Sequence, residues 1–281
     1  MDQQNIEQGY TKPQSLIDVQ ELQERIEGLE STVLIDVRKP IYFANGHIEG
    51  AVNIWRDQIT DTSYNYGGMM ATKEQMESLL SGLGVKSSDT LILYDAKGNV
   101  DAARLWWILK YYGHQQVRLL NGGLKAWESI GGKLVSSDSK RGVSEYNFLE
   151  EVNPEIHASI SQVKSSFGSS EQIILDTRSE EEFSGSIKKK GAARSGAIPH
   201  SVNLDWSAAV NYDGDHRFRS INELKKIYGE LGIDSNSKVI TYCHSGVRSA
   251  HTLFVLQELL GYSSVKNYDG SWTEWSHLET P

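Results

Sequence analysis

TLILYDAKGNVDAARLWWILKYYGHQQVRLLNGGLKAW, from Thr90 to Trp127, lies without a gap over KVITYCHSGVRSAHTLFVLQELLGYSSVKNYDGSWTEW, Lys238 to Trp275, at a constant offset of 148 residues. Tyr94, Gly98, Ala102, Gly113, Val117, Gly122 and Trp127 fall on Tyr242, Gly246, Ala250, Gly261, Val265, Gly270 and Trp275. Upstream, LIDVR (Leu34 to Arg38) matches ILDTR (Ile174 to Arg178) at an offset of 140, and GHIEGAVN (Gly46 to Asn53) matches GAIPHSVN (Gly196 to Asn203) at 150. Self-similarity over this span means two copies of one structural unit.

Each copy reads as α/β. TVLID, QIILD, LILY and VITY are short apolar runs of the kind found in buried strands. Thr72-x-x-Gln75 and Ser220-x-x-Glu223 are capping-box signatures that open helices, and Gly84 and Gly232 stand where those helices stop. Strands alternating with helices predict a mainly parallel sheet covered on both faces. The run GLGVKSS (Gly82 to Ser88) lacks the Gly-Lys-Ser/Thr order of a phosphate loop and reads as a helix stop and turn.

Composition narrows the function. The 281 residues carry 28 Lys+Arg against 37 Asp+Glu, a net charge of −9, which disfavours nucleic acid and anionic bilayers as partners. No apolar run approaches the ~20 residues of a membrane span. The start, MDQQNIEQGY, shows neither the basic nor the apolar part of a secretory signal, so the expected location is cytoplasmic. Cys243 is the single cysteine, which excludes an internal disulfide, a Cys-x-x-Cys pair and a multi-cysteine zinc site. No histidine pair has metal-ligand spacing, and neither metal nor cofactor is expected.

Cys243 begins a loop, His244-Ser245-Gly246-Val247-Arg248-Ser249, between the strand VITY and a helix. Such a loop gathers backbone N–H groups around its centre, and the positive end of the helix dipole points there. With Arg248 close, a thiol there is held as thiolate, its nucleophilic form. The competing reading, a buried structural cysteine, is weakened by this context. Arg248 is five residues after Cys243, a Cys-x4-Arg spacing one residue shorter than the phosphatase Cys-x5-Arg ring. The smaller ring suits one sulfur atom.

These features together resemble the rhodanese family: the loop, the duplication, Asp-x-Arg after the first strand, and the Gly-His-Ile-x-Gly-Ala-x-Asn run. The likeness covers nearly the whole chain. It implies tandem α/β rhodanese-like domains: residues 1–137, predicted inactive because Asp95 holds the cysteine position; a linker, 138–155; and a catalytic domain, 156–281. In the first copy Val100 and Asp101 replace Arg248 and Ser249. The resemblance implies a sulfurtransferase working by ping-pong through a Cys243 persulfide. The donor is thiosulfate, with 3-mercaptopyruvate as the alternative, and the acceptor is cyanide or a thiol, small or protein-borne. Arg178 and Arg248 are the implied donor-binding residues; a structural ion pair with one of the Glu180–Glu182 carboxylates is the other reading of Arg178, whose counterpart Arg38 occurs in the copy predicted inactive.

Departures from family patterns bear on the donor. Mercaptopyruvate-type members carry a second arginine before the phenylalanine that follows Asp-x-Arg, where this chain has Glu182 before Phe183. The second basic residue that thiosulfate-type members place two after the cysteine is Ser245 here. Thiosulfate is favoured because a small dianion needs one arginine and the N–H cradle. An insertion, SIKKKGAARSGA (Ser186 to Ala197), makes a basic patch read as a solvated loop, with donor steering or docking of an acidic partner as the alternatives. A cysteine-dependent phosphatase or arsenate reductase, and a non-catalytic binding module, are the competing functions.

Overall fold

A computed structural model describes residues 8–25, 31–137, 141–169 and 171–279. In the first copy, β1 (Leu16–Ile17), β2 (Thr32–Asp36), β3 (Val52–Asn53), β4 (Thr90–Tyr94) and β5 (Val117–Leu120) form a sheet in the order β1-β5-β4-β2-β3. The second repeats it with β6 (His157–Ala158), β7 (Gln172–Asp176), β8 (Ser201–Asn203), β9 (Lys238–Tyr242) and β10 (Val265–Tyr268), in the order β6-β10-β9-β7-β8. The pairings in both sheets are parallel.

The period of two along the strands explains their unbroken apolar character. Val33, Ile35, Leu91 and Leu93 point into one core, while Leu34, Ile92 and Tyr94 point into another on the opposite face. In the second copy Leu175 and Val239 enter that same first core, and Ile174, Ile240 and Tyr242 enter a third. One core is therefore common to both copies, and each copy has a private one.

The helices start as the capping chemistry predicts. α1 (Lys73–Gly82) opens with Thr72 Oγ1 accepting from Gln75 N at 3.3 Å and Gln75 Oε1 accepting from Thr72 N at 2.8 Å. α2 (Val100–Tyr111) and, in the second copy, α3 (Glu180–Ser184), α4 (Ile221–Gly229) and α5 (Val247–Phe254) follow. At α4 the Glu223 carboxylate accepts from Ser220 N at 3.0 Å and from its hydroxyl at 2.7 Å. Gly84 and Gly232, just past α1 and α4, hold φ of +72° and +73°. No helix among the described residues is long and apolar enough to cross a membrane.

α2 and α5 pack together in the shared core, with the Trp106 ring edge-on to Phe254 at 5.0 Å. The helices also exchange contacts with each other's loops. Arg104 Nη1 donates to Gly246 O at 3.3 Å, and His251 Nε2 meets Gly98 O at 3.1 Å. Connecting segments add to this. The polar run expected as a linker hides two aromatic anchors, Tyr146 and Phe148, both buried. The Tyr146 hydroxyl meets His114 Nδ1 at 2.8 Å, and Phe148 N donates to Glu77 Oε1 at 2.9 Å. In the opposite direction, Tyr10 donates to Phe218 O at 3.0 Å and Thr11 N to Leu259 O at 2.9 Å, tying the segment before β1 to the second copy.

His251 makes this interface sensitive to acid. Its burial pushes the imidazole pKa down to about 3 from 6.5. Between those values the unfolded chain binds a proton that the folded chain excludes, so stability is complete above pH 6.5 and falls as pH drops. The expected loss is about 1.4 kcal/mol per pH unit, or about 2 kcal/mol at pH 5. Urea midpoints at pH 7 and pH 5 check this; His251→Gln should shrink the difference by about 2 kcal/mol and leave the part that belongs to His244, His114 and His157, whose pKa values burial also pushes down.

Candidate active site

β9 ends at Tyr242, and Cys243 enters the loop that starts α5. Cys243 is buried, at 1% exposure. Gly246 takes φ +72°, and a Cβ there would lie 2.7 Å from both Arg104 Nη1 and Asp269 O, so glycine is required. The loop is clamped by the start of the C-terminal helix, Ser271–Leu278. Ser271 Oγ accepts from Cys243 N at 3.1 Å and Gly246 N at 3.0 Å and donates to Tyr268 O at 2.7 Å. Trp272 N and Thr273 N donate to the Cys243 and His244 carbonyls at 3.0 and 2.9 Å.

The first copy shows what this loop holds. Asp95 Oδ1 accepts from Lys97 N at 2.7 Å and Asn99 N at 2.9 Å, and Oδ2 accepts from Asp101 N at 2.7 Å and Ala102 N at 3.1 Å. Four amides thus enclose one buried anion. Its carboxyl is nonetheless pushed up, by burial first and then by the charge of Asp101, which pairs with Arg56. At the 148-residue offset the same amides belong to Ser245, Val247, Ser249 and Ala250. The Cys243 thiol behaves accordingly. Burial alone would push it up, but the Arg248 charge, the Ser249 hydroxyl and the Ser249 and Ser245 amides hold it below the ordinary thiol value.

Arg248 is engaged by a residue whose importance sequence reading missed. Its Nη1 and Nη2 donate to Glu182 Oε2 at 2.6 Å and Oε1 at 2.9 Å, a two-pronged pair with both side chains mostly buried. The fork that sequence reasoning reserved for donor oxygens is therefore taken. Burial works against the Glu182 charge, yet Arg248 holds its carboxyl below the usual range. Ser179-x-x-Glu182 looks like one more capping box, and Ser179 Oγ does accept from Glu182 N at 3.4 Å; the Glu182 carboxylate turns to Arg248 instead. His244 sits beside the insertion, its Nε2 3.1 Å from Lys190 O, and partial burial followed by the Lys189 charge pushes its pKa down to about 4.

The first copy builds one wall of the site. Gly68, at φ +105°, lies so close to Ser245 that a Cβ would sit 2.5 Å from the serine Cβ. Tyr66 donates to Glu274 Oε1 at 2.9 Å, Met70 N donates to Asp269 Oδ2 at 3.0 Å, and Arg104 pairs with Asp269 at 2.6 Å. The sequence signal for this wall was weak, a Gly-Gly pair in a polar stretch. Around Asp95 the first copy has its own cavity of about 280 Å³, with Tyr42 and Trp55 in its lining where the second copy has Glu182 and Asp205.

Arg178, named from the sequence as a donor-binding candidate, is held by the aspartate of its own turn. It is 2% exposed, and its Nε and Nη2 bind Asp176 at 2.9 and 2.5 Å while Nη2 also donates to Gly196 O at 2.8 Å. Arg38 repeats the pattern on Asp36 and Gly46 O in the first copy, at 2.6 Å for both Nη2 contacts. A guanidinium committed in this way holds the Asp-x-Arg turn in place. Its position beside the loop follows from register, since Asp176 pairs with Tyr242 as Asp36 pairs with Tyr94.

Comparison with known proteins agrees with this architecture. A family model described as "Rhodanese-like domain" matches residues 18–130 and again 159–278. A protein of Saccharopolyspora erythraea named "Putative thiosulfate sulfurtransferase" is 40% identical over 243 residues, 84% of each chain. The "Sulfur carrier protein TtuD" of Thermus thermophilus is 34% identical over 283 residues, 96% of each chain. Among solved structures, the Tum1 protein of Saccharomyces cerevisiae superposes with a TM-score of 0.84 at 24% identity, covering 95% of this chain and 96% of that one. An anaerobic ergothioneine biosynthesis enzyme from Chlorobium limicola gives 0.86 at 24% identity over 95% of this chain and 69% of its own. At such identities the structures speak for the fold alone.

Proposed function

The chain belongs to the rhodanese family, as a tandem pair of rhodanese-like domains with sulfurtransferases among its relatives, and on that premise we propose that it moves sulfane sulfur from thiosulfate through a persulfide on Cys243. The carrying observation is internal to the molecule. One copy of the loop encloses the Asp95 carboxylate with four N–H groups, and the other copy offers the corresponding groups around a thiol held below its ordinary pKa. The Cys243 thiolate attacks the outer sulfur of thiosulfate, the S–S bond of the donor breaks, and sulfite leaves with the bonding pair. The terminal sulfur left on Cys243 carries the negative charge, which the loop amides stabilise as an anion hole.

No second cysteine can resolve the persulfide, so the acceptor comes from outside as cyanide, a small thiol or a reduced protein thiol. The likeness to a sulfur carrier protein favours a protein thiol among these. A lone reactive thiol fits a reducing compartment, and we place the protein in the cytoplasm. Parallel assays with thiosulfate and 3-mercaptopyruvate test the donor. Faster sulfite release, with Cys243 gaining one sulfur atom by mass, is the expected result. Faster pyruvate release would make 3-mercaptopyruvate the donor, and phosphate release from para-nitrophenyl phosphate would overturn the reaction class.

A further inference from the structure

Thiosulfate brings two negative charges to a site that already holds a thiolate. Arg248 is the obvious cation to receive them, but both of its terminal nitrogens are chelated by Glu182, and the charge of Asp205 acts on it as well. Arg178 is spent on Asp176. Among the described residues, a cation near Cys243 that stands in no salt bridge comes from the insertion.

That insertion is pinned against the active loop. Lys190 O contacts His244 Nε2 at 3.1 Å, Ala193 N donates to Ser276 Oγ at 3.0 Å, and Trp272 Nε1 donates to Arg194 O at 3.0 Å. The Arg194 guanidinium lies over the Trp272 ring at 4.9 Å. Lys189 is thus held one residue from the His244 contact, itself next to Cys243 in the chain. Its side chain is in none of the salt bridges of the described residues, and its charge acts on Glu182, Arg248, His244 and Cys243. Arg56 of the first copy, 41% exposed at the side chain, adds positive charge toward the same place.

We propose that Lys189 holds the anionic end of the sulfur donor, and that Glu182 imposes this division of labour by chelating Arg248. Arg248 then serves the sulfur on Cys243 and Lys189 serves the oxygens. The proposal deepens the thiosulfate reading above and rests on it. Charge balances in the step: thiolate and thiosulfate dianion give persulfide anion and sulfite dianion. Lys189 meets oxygen-borne charge both before and after the S–S bond breaks, so it contributes mainly to binding.

Steady-state kinetics of Lys189→Ala with thiosulfate test this. We expect KM to rise about tenfold with kcat within twofold of wild type, Lys189→Arg to restore KM, and Lys188→Ala to leave it unchanged. The pH profile of Cys243 alkylation should move only slightly upward in Lys189→Ala, by the loss of one nearby charge, and by less than in Arg248→Ala, which separates donor binding from loop disruption. In the Lys189→Ala background, Glu182→Gln should free the Arg248 fork and bring KM back toward wild type. A readout without turnover keeps the test separate from the reaction assignment: sulfite should protect Cys243 from alkylation in wild type and protect it about tenfold less well in Lys189→Ala. If wild type releases no sulfite but Lys189→Ala still loses protection, the donor reading fails and the anion site stands. Unchanged KM and unchanged protection in Lys189→Ala, or an equal effect from Lys188→Ala, would overturn the proposal.

Discussion

Cys243→Ala should abolish sulfur transfer from either donor, by at least about 10³-fold, since every step passes through a bond to that sulfur. The side chain is buried, so the deletion leaves a small void and should cost about 1 kcal/mol, with a cooperative transition retained. Asp95→Ala should do the reverse. Four amides, three of them in buried hydrogen bonds, lose their acceptor, at about 1–3 kcal/mol for each buried one left unsatisfied, so the melting temperature should fall steeply. Turnover per folded molecule should nevertheless stay close to wild type. Melting curves and initial rates on the two variants separate the roles. Transfer activity surviving in Cys243→Ala would remove the persulfide from the mechanism, and a loss of kcat in folded Asp95→Ala would bring the first copy into the chemistry.

That contrast rests on features legible in the sequence, because they are local or repeated. The ungapped 148-residue offset gave matching strands, and the two sheets have the same order. The Cys243 loop is a short strand–loop–helix unit whose glycine and helix start dictate where its amides point. What stayed hidden depends on approach in three dimensions. Arg178 and Arg248 both look like anion binders in one dimension. The structure shows that each already has a carboxylate partner, Arg178 the aspartate of its own Asp-x-Arg turn and Arg248 the distant Glu182. Glu182 is in view as a partner for Arg178, four residues away in the chain; its pairing with Arg248, 66 residues away, has no trace in the local sequence. The insertion reads as solvated because three lysines in a row usually are; its anchors, His244, Ser276 and Trp272, are far from it in sequence. The same distance hid Gly68, whose contact with Ser245 crosses between the copies.

Arg248→Ala should lower the rate of persulfide formation near neutral pH by about 10²-fold, the usual scale for losing one donor from a pre-built anion site. Its charge helps hold the Cys243 thiol below the ordinary value against the opposing effect of burial, so its loss should move the alkylation profile to higher pH. The sign is testable on its own: activity lost at pH 7 should partly return as pH rises and refills the thiolate. Stability should fall too, because Glu182 is left 7% exposed without its partner, and breaking a buried pair from one side costs about 3–5 kcal/mol. The pair here keeps some exposure, 15% on the arginine side chain, which puts the expected cost toward the lower end of that range. Glu182→Gln in the same chain should recover much of the stability by removing the stranded charge while leaving the thiol pKa high. Arg248→Lys should recover part of the pH profile, since it restores charge but not the planar fork that Glu182 grips with both oxygens. Alkylation rates against pH, set beside urea midpoints for the three variants, separate the electrostatic role from the structural one. If Arg248→Ala left the thiol profile at its wild-type position while stability fell, the arginine would be a brace for α3 and α5, and the low thiol pKa would have to come from the loop amides and the Ser249 hydroxyl alone.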